Sequence, residues 1–113
     1  MKRNELVIDG RLLKRGSVRY TPAGTPAMDL VIGHRSLQTE AGGSREARCE
    51  LEAVALGDMA LKLGAAKISR PLRIRGFLAQ HRLGNRRLVL HVVDAEPIGE
   101  GGQGQNQEPR RTQ

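Results

Sequence analysis

Three arginines, Arg82, Arg86 and Arg87, crowd around Gly84-Asn85 in the stretch AQHRLGNRRLVLH (79–91). Gly-Asn suits a tight turn, but a turn has no need of guanidinium groups. A guanidinium is a planar, permanently charged fork of donors that matches phosphate and stacks on rings. Fifteen of the 19 basic residues of the chain are arginine, and the formal net charge is +7 with a pI near 10.7. An excess of that sign points to an anionic partner. Between Asp58 and Asp94 there is no acid, while Lys62, Lys67, Arg70, Arg73, Arg75, Arg82, Arg86 and Arg87 supply eight bases. Arg11, Lys14, Arg15 and Arg19 form a second cluster, whereas residues 40–52 interleave both signs as a solvated surface does.

Catalytic chemistry has little to stand on. His34, His81 and His91 fall in separate segments with no metal-ligand spacing, and Ser36, Ser44 and Ser69 lack a nucleophile-elbow motif. Glu46, Glu50 and Glu52 alternate along a strand, which suits a solvated edge better than a paired-carboxylate site. No phosphate-binding loop ends in Lys-Ser or Lys-Thr. The expectation is a non-enzyme with no cofactor and no metal.

The elements that must carry these arginines are strands. ELVIDGRLLKRG (5–16) places Leu6, Ile8 and Leu12 in a period-two series with Gly10 at the fourth place, and a strand glycine marks a bulge or bend. SVRYTPAGTP reads as a loop. AMDLVIGHRS (27–36) sets Met28, Leu30 and Ile32 on one face, and LQTEAGGSRE reads as a polar, flexible loop. ARCELEAVAL (47–56) is a third strand with Cys49 and Leu51 sharing a face. Asp58 can cap a short helix through Met59–Leu63, with Gly64 ending it. PLRIRGFLAQ (71–80) points Leu72, Ile74, Gly76 and Leu78 one way and Arg73 and Arg75 the other; RLVLHVVDAEPI (87–98) is the fifth strand. An all-β, five-stranded OB-fold Greek-key barrel with a short helix between the third and fourth strands follows, against another small barrel or an α+β sheet. The domain is expected over 1–98. Residues 99–113, which hold no large apolar side chain, are expected to form a disordered tail.

An OB-fold grips single-stranded nucleic acid across its second and third strands, walled by the first-to-second and fourth-to-fifth loops. Lys14, Arg15 and Arg19 flank the first loop, and Arg82, Arg86 and Arg87 occupy the second. Such binders stack bases on rings, and here only Tyr20 and Phe77 are available, with Tyr20 in a loop where stacking is possible. Val7, Leu13, Val31, Val89 and Val93 oppose the core series on three strands, which points to a covering second subunit. A single cysteine allows no internal disulfide, the first residues lack a signal-peptide core, and no apolar run is long enough for a membrane. A soluble, cytoplasmic protein is expected.

Over nearly all of residues 4–98 the chain resembles the bacterial primosomal protein B family, also called primosomal replication protein N. The resemblance rests on N-x-L-V-x-x-G (4–10), T-P-A-G-T-P (21–26), G-H-R-S-L-Q-T-E-A-G (33–42), Cys49, I-R-G-F-L (74–78) and L-V-L-H (88–91). It implies a homodimeric OB-fold that binds single-stranded DNA during restart of stalled replication forks. It also implies contact with the primosomal helicase, which is loaded or stimulated, and with other primosome proteins. DNA contacts carry over to Arg35 and to Arg82, Arg86 and Arg87, where the family has lysines in a longer loop. The family's tryptophan before the strand-3 cysteine is Arg48 here, and a second aromatic expected near Gly43 is absent. Weaker, more salt-sensitive binding, or a larger role for protein partners, is therefore expected. Three other readings are a general single-strand-binding protein, which the QEPRRTQ terminus argues against, an adaptor docking an acidic protein, and an RNA-binding module.

Overall fold

The computed structural model describes residues 2–82 and 84–99; the expected tail, apart from Gly99, lies outside the described residues. Six strands and one helix follow in the order β1 (Leu6–Arg15), β2 (Arg19–Tyr20), β3 (Pro26–Glu40), β4 (Gly43–Leu56), α1 (Asp58–Gly64), β5 (Pro71–Gln80) and β6 (Leu88–Pro97). The sheet order is β1-β5-β6-β4-β3-β2, and a β1–β3 pairing closes five of the strands into a barrel. That closed barrel with one short helix is consistent with the OB-fold expectation. All pairings are antiparallel except β4 with β6.

Closure depends on β1 changing partners. Leu6–Arg11 pair with β5, and Arg11–Arg15 pair with β3 across a register shift between Leu12 and Lys14. At the changeover the backbones nearly touch: a Cβ on Gly10 would stand 2.5 Å from the Gly33 carbonyl oxygen. Gly76 has the same duty across the barrel, where a Cβ would lie 2.0 Å from the His91 carbonyl oxygen, beside the register shift between Arg75 and Gly76. Both mid-strand glycines thus sit where a side chain has no room.

The period-two series fill the interior. Leu12, Met28, Leu30, Ile32, Leu72, Ile74, Leu90 and Val92 are buried, with Ala53 and Ala55 opposing Leu30 and Met28 across β3–β4. No aromatic ring joins this core. The helix α1 buries Ala60 and Leu63 against it. Asp58 does not cap that helix as expected: Gly57 takes the cap position at φ +68 with no side-chain cap, and Asp58 sits in the first turn, where its charge suits the helix dipole. At the other end Arg15 Nη1 donates to the Leu63 carbonyl at 3.1 Å and to the Ala66 carbonyl. Val89, expected on the outside, is buried. No helix among the described residues is long and apolar enough to cross a membrane.

The largest departure from the sequence expectation is the segment 37–46. Instead of a flexible loop it continues β3 and β4 as one antiparallel ladder out to Glu40 and Gly43. Ala41 (φ 51) and Gly42 (φ 78) make the two-residue reversal, both at the positive φ that matches strand twist. Arg45 Nε to Glu40 Oε1, at 2.9 Å, ties the two sides near the tip. Neither face of this arm is buried, so it lacks the apolar alternation that marks a strand in sequence. Residues 19–20, read as loop, likewise form the short β2 against Ala27 and Pro26.

Gly76→Ala is expected to lower the free energy of unfolding by more than about 3 kcal/mol, beyond the usual range of overpacking, because the clash is with backbone. Gly43→Ala, with its nearest neighbour at 3.9 Å, is expected to stay within about 0.5 kcal/mol. Urea titrations followed by circular dichroism make the comparison.

Candidate nucleic-acid interface

Strand alternation decides which charges share a surface. In the β3–β4 ladder Arg35 stands directly opposite Arg48, Leu37 opposite Glu46, Gly33 opposite Glu50, Val31 opposite Glu52 and Asp29 opposite Val54. These pairs form the outward face, since Met28, Leu30 and Ile32 turn into the barrel. Arg87 reaches the same face, its Nε 2.6 Å from Glu52 Oε1. Lys14, paired with Val31, borders the face on the β1 side.

Charge on this face is balanced. Glu46 bridges two arginines: Arg35 Nε donates to Oε2 at 2.5 Å and Arg48 Nη2 to Oε1 at 3.3 Å. Arg19 meets Asp29 at 3.0 Å, and Arg87 meets Glu52. Glu50 lies between the bridged groups. Arg19, Arg35, Arg48 and Arg87 are therefore matched by Asp29, Glu46, Glu50 and Glu52. The Arg35 hydrogen bond, chiefly, holds the Glu46 carboxyl below its ordinary pKa of 4.5. The Arg35 and Arg48 charges add to the shift, and desolvation opposes it. By sign, whatever stability that depressed pKa contributes is present above pH 4.5 and fades as acid protonates the carboxylate.

Besides Lys14 at its border, the β5–β6 turn carries the unpaired charge beside this face. Asn85 N–H donates to the Arg82 carbonyl at 3.0 Å, Gly84 takes φ +80, and Asn85 Oδ1 accepts from Arg87 N–H at 2.8 Å. Gly84 thus supplies the positive φ at the third place of a turn that Asn85 closes rather than centres, and the Asn85 side chain braces the exit toward Arg87. Arg82 and Arg86 are exposed and form no ion pair with an acid among the described residues. Arg35, Arg48 and Arg87 are accordingly brought to one face, and Arg82 and Arg86 lie on the turn that leads into Arg87.

Other arginines picked out from sequence do not reach this face. Arg15 turns to the carbonyls at the end of α1. Arg73 makes two hydrogen bonds to Asp9, at 2.8 and 2.9 Å, and those bonds, with the charge of Asp9, raise its already high pKa. Arg75 lies 3.8 Å from Asp94 and 4.0 Å from Glu5. Both belong to β5, which neighbours β1 and β6 and not the β3–β4 ladder. Tyr20 is exposed at the far end of the face from Arg35, beside Pro26. Phe77 is on the surface, stacked on His91 at 4.8 Å between centroids and 8° between planes. Beside that stack a shallow depression of about 390 Å³ is lined by Val54, Leu56, Asp58, Met59 and Val93. Sequence reasoning missed the Glu46 bridge; its only signal was the E-x-R-x-E-x-E alternation of 46–52, which puts like and unlike charges on one face.

Residues 4–94 match the model described as "Another single-strand binding protein family". The "Replication restart protein PriB" of Bordetella pertussis is 39% identical over 95 residues, 84% of this chain and 89% of that protein. The PriB protein from Ralstonia solanacearum, in its 1.8 Å crystal structure, superimposes with a TM-score of 0.79 at 30% identity, over 87% of this chain and all of that one. The single-stranded DNA binding protein from Thermus aquaticus shares the fold, with a TM-score of 0.68 at 23% identity over 88% of this chain and 52% of that one.

Two measurements check this geometry. A carbon-detected NMR titration of the Glu46 carboxyl is expected to give a midpoint below 4.5 that moves up towards it in Arg35→Ala. In urea, Arg15→Met is expected to lose roughly 1–2 kcal/mol as the helix carbonyls lose a charged donor, whereas Arg82→Ala stays within about 0.5 kcal/mol.

Proposed function

The chain belongs with the PriB replication restart proteins in the single-strand binding family, and from that premise we propose that it binds single-stranded DNA as a non-catalytic accessory of replication restart. The observation that carries this reading is that Arg35 and Arg48 stand opposite each other on the outward face of β3–β4, the side an OB barrel offers to single strands, and that Arg87, at the end of the turn holding Arg82 and Arg86, reaches the same face through Glu52. Phosphates run along the guanidinium groups, and Arg82 and Arg86, which no described acid neutralises, make the first electrostatic contact. With no ring on that face between Asp29 and Leu37, charge outweighs base stacking. Arg19 and Tyr20 take the strand only at its far end; Arg15 is held by the carbonyls at the end of α1, and Arg73 and Arg75 lie on β5, away from the β3–β4 ladder, so these three add little.

The protein acts in the cytoplasm as a homodimer. In support, Leu6–Ile8 pair only with β5, which leaves that part of the other β1 edge open beside Val7, itself 55% exposed, whereas the next carbonyl, of Asp9, is already bonded to His34 Nδ1 of β3. A strand edge of that kind pairs readily with another strand, here β1 of a second copy. The primosomal helicase and other primosome proteins are its protein partners. The shallow apolar depression around Phe77–His91 favours a share of the work going to such contacts, which is the adaptor reading in its strongest form.

Fluorescence anisotropy of labelled oligo-dT, beside a duplex of equal length, tests the reading across salt concentrations. Preferential single-strand binding is expected, with a log–log salt slope near −3, at roughly −0.7 per phosphate neutralised. Arg82→Ala and Arg86→Ala are each expected to reduce that slope by about 0.7. No binding at low salt would give the surface to a protein partner. Sedimentation at micromolar concentration is expected to report a dimer, and a monomer there would remove the β1 pairing.

A further inference from the structure

The arginines best placed for a phosphate backbone are already engaged by carboxylates of β4. Glu46 holds Arg35 and Arg48 together, and Glu52 holds Arg87. All are on one face, and the carboxylates occupy Nε of Arg35 and of Arg87, one end of the donor fork that phosphate would use. We propose that Glu46 and Glu52 are internal counter-anions that single-stranded DNA must displace, so that binding is an exchange of carboxylate for phosphate rather than capture by free cations. The proposal rests on the single-strand reading above and adds the residues that regulate it.

Its physical basis is the weakness of exposed ion pairs. The Arg35 and Glu46 side chains are 68% and 43% exposed, and the Arg87 and Glu52 side chains 53% and 50%. Pairs so open to water contribute little to stability and break readily when a better anion arrives. Each phosphate nevertheless approaches beside a carboxylate, and that like-charge contact lowers affinity until the glutamate swings away. The pairing also orients the guanidinium groups in the free protein, but an orienting role and a competing role predict opposite signs when the charge is removed. Glu40 supplies the comparison. It also pairs with an arginine, Arg45, but Glu40 and Arg45 lie on the other face of the arm, in the alternation that holds His34, Ser36 and Cys49.

Glu46→Gln, Glu52→Gln and Glu40→Gln each raise the net charge by the same amount, so long-range attraction rises equally in all three. Anisotropy of labelled oligo-dT is measured over a salt series for each variant and for the unaltered chain. Glu46→Gln is expected to tighten binding about three- to ten-fold at low salt, the scale of one or two exposed ion pairs. Its salt slope, like that of Glu52→Gln, is expected to steepen by about 0.7, one uncovered positive charge apiece at roughly 0.7 per phosphate neutralised. Glu40→Gln is expected to leave the slope unchanged, and Arg35→Ala with Arg48→Ala is expected to abolish the Glu46→Gln gain. If Glu46→Gln matches Glu40→Gln, or binds more weakly than the unaltered chain, the exchange is overturned while the single-strand reading stands. If no protein of the series binds at low salt, the single-strand reading fails and the exchange fails with it.

Discussion

Everything in this barrel hangs on one close backbone approach. β1 can serve both β5 and β3 only because Gly10 leaves space for the carbonyl of Gly33. A strand that could not make that crossing would leave the sheet open between β1 and β3, and the core of Leu12, Ile32 and Ile74 would face water. The same contact fixes the position of β3 along β1. Because β4 is registered on β3, it also fixes which residues of the arm face outward. The surface chemistry is thus set at a place where Gly10 can carry no side chain of its own, because the Gly33 carbonyl and the Ile32 side chain fill the space.

The electrostatics follow from that register. In the linear sequence, residues 59–93 look like an uninterrupted field of positive charge. Folding brings acids to it from elsewhere: Asp9 to Arg73 across 64 residues, Glu52 to Arg87, Glu5 and Asp94 to Arg75. What survives without an acid partner among the described residues is split between the β5–β6 turn, with Arg82 and Arg86, and the segment around α1, with Lys62, Lys67 and Arg70. The charge of a face is a property of strand pairing, and no window along the chain reports it.

Where one face of a strand is buried, the sequence was readable. Met28, Leu30 and Ile32 in β3, and Leu72, Ile74, Gly76 and Leu78 in β5, announce their inward series by alternation, and the core holds them as expected. The two bending glycines were legible for the same reason, since each interrupts such a series. The arm beyond Arg35 was not, because both its faces are wet and its regularity is in backbone pairing and charge. Val89 was assigned outward by parity, yet it is 5% exposed. The loop arginines could be named from their types, but which of them are free, and which are held by Glu46 or Glu52, depends on contacts between strands distant in sequence.

The two-residue reversal at Ala41-Gly42 has a consequence for how this protein can change over time. Outside the barrel the arm obeys a parity rule: residues added in matched numbers to both strands beyond Ser36 and Ala47 lengthen it and leave Arg35, Arg48 and the core where they are. An unmatched single residue instead forces a bulge or slides one strand past the other, setting each side chain against the wrong neighbour. The arm is therefore an adjustable ruler attached to a fixed frame, one whose reach evolution or an engineer can reset in matched steps without renegotiating the fold.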